Sequence, residues 1–356
     1  MPGEGAISKR ATIRDVAAAS GVSPTTISRW LNGSISLPEG TTTRIRKAIA
    51  ELHYEPNLHA RRLTLGRTDT LALVLPDISD PFFAALAGAV EAAAEAAGYG
   101  LVLCSTRNRT EREVEYLGRV RRNHVDGVLF ATNHPDDGRL KTAVEGQRGV
   151  VLLDEDVPGV TASRVFCDNR AGGSLATQLL IEAGHRRIGF IGGIEGVMSA
   201  VERADGYADA LATAGITADP ALISFGGYTA EHGASAMSAF LALSDAPTAV
   251  FASSDRIAIG ALDVLRGAGL AVPVDISLVA YDDVAPFGLF LPAITAVRQP
   301  VGLMGEQGVA ALVALLKDEA RLPETIRLPV ELMMRGSVAA PATHHDPSRQ
   351  GARSIA

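Results

Sequence analysis

The stretch Thr12-Ile13-Arg14-Asp15-Val16-Ala17-Ala18-Ala19-Ser20-Gly21-Val22-Ser23-Pro24-Thr25-Thr26-Ile27-Ser28-Arg29-Trp30-Leu31-Asn32-Gly33 decides how this chain is built. Thr12 can cap the free amides of a helix, and Asp15 at its third position completes a capping box with an acid the helix dipole favours. Gly21 can take the positive φ that ends a helix. Ser23 and Pro24 then restart one, as cap and first helical residue. This second helix can bury Ile27 and Leu31 while exposing Thr25, Ser28, Arg29 and Asn32. Asn32-Gly33 is a turn signal. A third helix, roughly Pro38 to Leu52, carries Ile45, Ala48, Ile49 and Leu52 on one face.

Helix, Gly-containing turn, short helix and supporting helix make a helix-turn-helix layout. The second helix would enter a DNA major groove by its N-terminal end. Thr25, Thr26 and Arg29 then point at base edges, and Arg29 suits a bidentate contact to guanine. Ser23, Asn32 and the helix amides suit phosphates. Thr12, Pro24 and Ser28 complete the surface assigned to DNA. The same residues also fit a plain three-helix packing module with a polar face. Trp30, the only tryptophan, belongs to a core or an interface.

Charge separates these two possibilities. The chain has 356 residues and a formal net charge of −7, which alone argues against nucleic acid. Up to Thr68, however, ten Lys and Arg face five acids, whereas the remainder holds 23 basic and 35 acidic residues. A basic head on an acidic body is expected when one module meets phosphates and the other does not. Length suits two or three domains, and 47% hydrophobic with 21% charged residues fits a globular protein. No apolar run reaches the ~18 residues that span a bilayer. Met1 to Ala11 lacks an apolar leader core, so a cytoplasmic location and no membrane partner are expected. Cys104 and Cys167 sit in no metal-ligand spacing and read as small buried hydrophobes.

Between head and body lies Pro56-Asn57-Leu58-His59-Ala60-Arg61-Arg62-Leu63. Pro56 ends the third helix and Asn57 can cap another. Leu58 to Leu63 is barely two turns, too short to be a stable helix alone. Its residues allow either a polar linker with a stray leucine or a helix that forms only with help.

Beyond residue 69, apolar β-rich runs alternate with helical ones. Strands are expected at Thr70–Pro76, Leu101–Cys104, Asp126–Phe130, Val150–Leu153, Arg187–Ile191, Ala249–Ala252 and Ser277–Tyr281. Helices are expected at Pro81–Ala97, Thr110–Asn123, Ala171–Ala183, Val201–Ala214 and Ile257–Ala268. This rhythm means parallel sheets covered on both faces, in two similar series of about 100 residues. Ligands in such sheets bind beyond the carboxyl ends of the strands, so two facing sheets place one in the cleft between them. Those ends carry Asp80-Pro81-Phe82-Phe83, Asp154-Glu155-Asp156, Ser254-Asp255 and Asp282-Asp283, and Arg203 opens a helix after Gly192-Gly193. Each acid singly reads as a helix cap. Together with the aromatic rings and the Arg, they are a means of holding a sugar.

Residues Thr12 to Gly33, with Leu52-His53-Tyr54-Glu55-Pro56-Asn57-Leu58-His59-Ala60-Arg61-Arg62-Leu63, resemble the head of the lactose/galactose repressor (LacI/GalR) family. Trp30 departs from the small aliphatic residue usual there. The body is similar to the periplasmic sugar-binding fold that such repressors share. The resemblance implies an all-α helix-turn-helix head plus an α/β periplasmic-binding-protein-like body of two doubly wound parallel-sheet subdomains. It implies a head at 1–55, a hinge helix and linker at 56–68, and an effector-binding and dimerisation domain at 69–338. Subdomain one would be about 69–166 plus 299–327, and subdomain two about 167–298 plus 328–338. The chain would cross between them near 166–168, 297–299 and 328. A helix Met304–Lys317 would then return to the first subdomain and a strand Glu331–Arg335 to the second. A disordered tail is expected at 339–356, without a tetramer-forming coiled coil. In the hinge, Ala60 would approach the minor groove and Leu63 would wedge between base pairs, with Arg61 and Arg62 beside phosphates.

By the same resemblance, Phe82 and Phe83 face the effector, and Asp154, Ser199, Arg203, Tyr228, Asp282 and Gln299 fall where the family contacts it. Three positions depart from the family pattern. Glu155 replaces a frequent Arg, Ser254 a frequent Asn, and Asp80 a common Asn. The site trades donors for acceptors, which disfavours an anionic effector and favours a neutral polyol, an aminosugar or another donor-rich ligand. Glu155 could alternatively pair with Arg203. The expectation is a homodimeric repressor of carbohydrate genes, bound to pseudo-palindromic operator DNA and controlled by a sugar-like effector, without cofactor or metal. Alternatives are a purine- or nucleoside-type corepressor-dependent regulator and a sugar-binding receptor. An enzyme is disfavoured: there is no Gly-x-Ser-x-Gly elbow, P-loop or His/Glu metal pair.

Overall fold

The computed structural model describes residues 11–31, 34–54 and 67–342, apart from 123, 136, 146, 148 and 319. Asn32 and the whole hinge segment, with Asn57, Ala60, Arg61 and Leu63, lie outside the described residues, as does the tail from 343. The chain divides into two units, Met1–Arg67 and Thr68–Ala356.

In the first unit, α1 (Ile13–Ser20), α2 (Pro24–Leu31) and α3 (Glu39–Glu51) enclose a small core. Val16, Ile27 and Ile45 are fully buried there, joined by Ala17, Ala48 and Tyr54. Trp30 packs partly buried against it. Gly21 adopts φ 67°, and its amide donates to the Ala17 carbonyl at 3.0 Å, closing α1. The Asp15 carboxylate accepts from the Thr12 amide and from the Thr12 hydroxyl, each at 2.7 Å. The capping box is complete, since the Thr12 side chain in turn accepts from the Asp15 amide. Ser23 does cap α2: its Oγ accepts from the Thr26 amide at 3.1 Å.

The second unit contains two six-stranded sheets. The first is built from β1 (Thr70–Leu75), β2 (Gly100–Ser105), β3 (Gly127–Phe130), β4 (Val150–Leu153), β5 (Ser163–Cys167) and β11 (Thr325–Leu328). Its order is β11-β5-β4-β3-β1-β2, all parallel. The second uses β6 (Ile188–Gly192), β7 (Ile223–Phe225), β8 (Ala249–Ala252), β9 (Ser277–Tyr281), β10 (Thr295–Arg298) and β12 (Glu331–Met333). Its order is β12-β10-β9-β8-β6-β7, parallel except where β12 runs against β10. The inner strands are apolar throughout because both faces are covered; every residue of β3, β4, β6, β8 and β9 is buried.

Around the first sheet lie α4 (Pro81–Ala96), α5 (Thr110–Arg121), α6 (Arg139–Val144) and α11 (Val301–Lys317). Around the second lie α7 (Asn169–Glu182), α8 (Met198–Thr213), α9 (Ala230–Leu241) and α10 (Asp255–Gly267). The chain passes between sheets after β5, after β10 and after β11. Helix pairs in the second half cross where glycines remove the side chain. A Cβ on Gly173 of α7 would stand 2.2 Å from the Arg203 carbonyl oxygen, and one on Gly206 of α8 would stand 2.1 Å from that of Arg170. The Gly233–Gly260 crossing of α9 and α10 is equally close, at 2.1 and 1.9 Å to opposing carbonyls.

Several expectations need correction. The helix expected from Met304 begins at Val301, with Pro300 as its cap. The one expected from Val201 begins at Met198, which places Arg203 in its second turn rather than at its opening. Strands β5, β7, β10 and β11 and helices α6 and α9 were not foreseen. Residues 339–342, expected disordered, include a backbone held to the second sheet. The Ala339 carbonyl is bonded to His185 Nε2 at 2.9 Å and accepts from Ser277 Oγ at 3.1 Å, and the Ala339 amide donates back to that hydroxyl. Satisfied backbone groups order a polar segment that composition alone marks as loose.

Candidate functional site

The carboxyl ends of the two sheets face one cleft, and polar side chains cross it. β4 and β9 hold equivalent places in the two strand orders. Each is followed by an Asp in the left-handed region, Asp154 at φ 66° and Asp282 at φ 65°. Such a backbone costs a non-glycine residue of order 1–3 kcal/mol and concentrates at functional sites. Here it aims two carboxyls, both buried, into the cleft from opposite sheets.

Arg203 lies at the bottom, almost wholly buried. Its Nε donates to Asn169 Oδ1 at 2.8 Å and its Nη1 to the Ser253 carbonyl at 2.7 Å. The guanidinium lies 3.7 Å above the centre of the Tyr281 ring. Glu155 does not pair with it. Instead the Glu155 carboxylate reaches across the cleft to the N-terminus of α8, accepting from the Met198 amide at 2.7 Å and the Ser199 amide at 3.1 Å. Those amides have no partner within the helix, and a carboxylate suits the positive end of its dipole. Ser199 Oγ and Tyr228 Oη share a hydrogen bond of 2.9 Å.

Asp80 caps α4 by accepting from the Phe82 amide at 3.0 Å. It also receives Arg256 Nε from α10 at 3.1 Å, a second link across the cleft. A third joins Arg327 of β11 to Glu202 of α8, with two contacts of 2.7 and 2.9 Å. Gln299, just after β10, donates to Asp282 at 2.6 Å. Ser254 is occupied as the cap of α10, accepting from the Ile257 amide at 3.2 Å. Beside Asp282 and Gln299 opens a cavity of about 290 Å³, floored by Pro81, Phe82 and Ala85 and closed by Val284 and Pro286. Phe82 lines it, and both Phe82 and Phe83 are buried in the core of the first sheet.

Electrostatically the cleft is rich in acid. Burial pushes the carboxyls of Asp154, Glu155 and Asp255 up to about 7 each. For Asp154, Arg203 opposes the shift, while Glu155, Asp282 and Asp80 add to it. Burial also raises Asp80 and Asp282 from their ordinary value. Four buried atoms here have no protein hydrogen-bond partner among the described residues: Asp154 Oδ1, Asp255 Oδ2, Gln299 Oε1 and Ser253 Oγ. Carboxylate and amide oxygens of this kind call for donors, which hydroxyl groups supply.

Asp80, Phe82, Asp154, Glu155, Ser199, Arg203, Tyr228, Ser254, Asp282 and Gln299 border this cleft or its links; Phe83 is not among the residues lining the cavity. Sequence reasoning missed Arg256 and Asn169, which hold Asp80 and Arg203. No spacing rule connects residues so distant in the chain. In the head, Thr12, Ser23, Pro24, Thr25 and Arg29 are exposed, and Thr26 and Ser28 partly so. They present a polar face of α1 and α2 opposite the head's core.

A basic helix-turn-helix unit joined to a two-sheet cleft rich in hydrogen-bond acceptors defines a ligand-responsive DNA-binding regulator. Comparisons agree with this class. Residues 12–57 match the model of bacterial regulatory proteins of the lacI family, and residues 177–338 match the periplasmic binding protein-like domain. The HTH-type transcriptional regulator CelR of Thermobifida fusca is 38% identical over 336 residues, 92% of this chain and 98% of that protein. GalR of Escherichia coli K12 is 35% identical over 94% of this chain and 98% of its own length. Among solved structures, the lac repressor dimer bound to operator and the anti-inducer ONPF matches with TM-score 0.81, at 26% identity over 93% of this chain and all of that one. A CelR–cellobiose complex matches with TM-score 0.70, at 37% identity over 92% of this chain and all of that one. The chain belongs to the LacI family of DNA-binding transcriptional regulators.

Proposed function

We propose that the protein is a dimeric, cytoplasmic repressor of carbohydrate-metabolism genes whose effector is a neutral sugar bound between the two sheets. One observation carries the effector class: Asp154, Asp255, Gln299 and Ser253, all at or just after strand ends, each hold a buried oxygen without a protein partner among the described residues, and Gln299 lines the cavity together with Phe82. Such a site accepts from hydroxyls, and its rings suit the C–H face of a pyranose. Cellobiose, present in the complex of the CelR relative, is the first sugar to try. In this account Arg29, Thr25 and Thr26 read bases, and Leu63 of the 56–63 segment acts as the wedge. Closure of the cleft by ligand alters the spacing of the two hinges in the dimer and thereby operator affinity. Linkage requires operator to change effector affinity by the same factor.

The test is thermal unfolding of the full chain against cellobiose, galactose, other neutral sugars, purine bases and sugar phosphates. A ligand at a hundred times its Kd stabilises by about 2.7 kcal/mol. A neutral sugar should raise the midpoint. Stabilisation by a purine alone would replace the sugar with a corepressor of that class.

A further inference from the structure

We propose that Glu155 is a specificity-determining residue: a carboxylate of the chain's own that fills the amide site at the N-terminus of α8 and keeps anionic ligands out of the cleft. The inference rests on the effector-cleft assignment above but adds to it a mechanism of exclusion. The Met198 and Ser199 amides are the strongest anion-receptive point the cleft could offer, since a helix N-terminus combines free donors with a positive dipole end. Glu155 already occupies both, at 2.7 and 3.1 Å, and is itself only 2% exposed.

The cations bordering the cleft are committed elsewhere. Arg203 is held by Asn169, the Ser253 carbonyl and the Tyr281 ring. Arg256 faces Asp80, and Arg298 faces Asp283. A phosphate or carboxylate entering here would therefore have to displace Glu155, and would meet Asp80, Asp154, Asp255 and Asp282 around it. The neighbouring Asp154 Oδ1, buried without a protein partner, marks the same ground as a place for a donor rather than an acceptor. Because Glu155 follows β4 of the first sheet and α8 belongs to the second, the same contact also holds the cleft together. Charge selection and closure are thus tied to one side chain.

The experiment uses the full chain with inorganic phosphate, compared with chloride at equal ionic strength, so no knowledge of the effector is needed. Wild type should show only the non-saturable rise that a kosmotropic salt gives any fold, together with whatever the basic head contributes, both shared with the variants. In Glu155→Ala, phosphate should raise the midpoint saturably, and calorimetric titration should show affinity at least about tenfold above wild type. Glu155→Gln keeps the shape and removes the charge; it should gain in the same direction, by less. If Glu155→Ala does not fold, Glu155→Gln decides alone. A folded variant that responds to phosphate no better than wild type overturns the proposal, as does wild-type protein that binds phosphate as tightly as Glu155→Ala. Gain of phosphate binding with no neutral sugar bound by wild type would keep the role of Glu155 and reject the sugar assignment. The reverse pattern would keep the sugar and reject Glu155 as the gate.

Discussion

Asp154 shows how a single residue couples backbone, charge and ligand. The left-handed turn after β4 aims its carboxyl into the cleft, and burial raises it from 3.8 to about 7. Glu155 and Asp255 are raised from 4.5 and 3.8 to about 7 in the same way. A folded state with raised carboxyl values holds protons that the unfolded chain has released. Its contribution to stability is complete below the unfolded values and disappears as pH rises through about 7. The unfolding midpoint of the effector-free chain should therefore fall between about pH 5 and pH 8, more shallowly in Asp154→Asn, which no longer titrates there. A midpoint with the same pH slope in variant and wild type would remove Asp154 from the linkage. The sequence marked Asp154 and Asp282 as site residues because they follow strand ends in an alternating pattern, and Arg203 through the helix after Gly192-Gly193 and the family resemblance. It could not reveal that Arg203 is held by Asn169 and Tyr281, which reach it from separate elements, nor that Glu155 turns to α8. Those contacts depend on how the two sheets face each other.

At the scale of elements, the helix-turn-helix was legible because capping and turn chemistry are local: Asp15, Gly21, Ser23 and Pro24 act within a few residues of themselves. The inner strands were legible because burial on both faces makes them uniformly apolar. The edge strands β7, β11 and β12 are short and partly exposed, so their pattern is weak. Helix α9 was missed because its sequence is dominated by Ala, Ser and Gly, with Thr229 as a cap recognisable chiefly in hindsight. Its Gly233 is there for the close crossing with α10, a requirement of tertiary packing. The matching crossing of α7 and α8 carries Arg203, so Gly173→Ala would force α8 away from α7. Overpacking of this kind costs typically about 1–3 kcal/mol, and a clash with backbone belongs at the upper end. The expected outcome is a lowered denaturant midpoint together with weakened effector binding. Loss of stability with intact effector binding would show that the crossing does not position Arg203.

For the whole molecule, charge asymmetry already separated a basic head from an acidic body in the sequence, and the chain divides at Arg67–Thr68. The body's two halves share one strand order, with a left-handed Asp at the same place in each. Among the described residues, Glu155, Arg256 and Arg327 each make a link across the cleft. A regulator works if the free energy of filling that cleft is transmitted to the head. The most direct measurement is the affinity of the full chain for a duplex carrying its operator, at fixed salt, with and without the sugar that stabilises it, in wild type and in Asp282→Ala. Salt must be fixed because phosphate contacts make the affinity steeply salt-dependent. The account predicts a sugar-dependent change of about 5- to 150-fold in wild type, and in Asp282→Ala unchanged operator affinity with no response to sugar. Equal operator affinity with and without a bound sugar in wild type would contradict it.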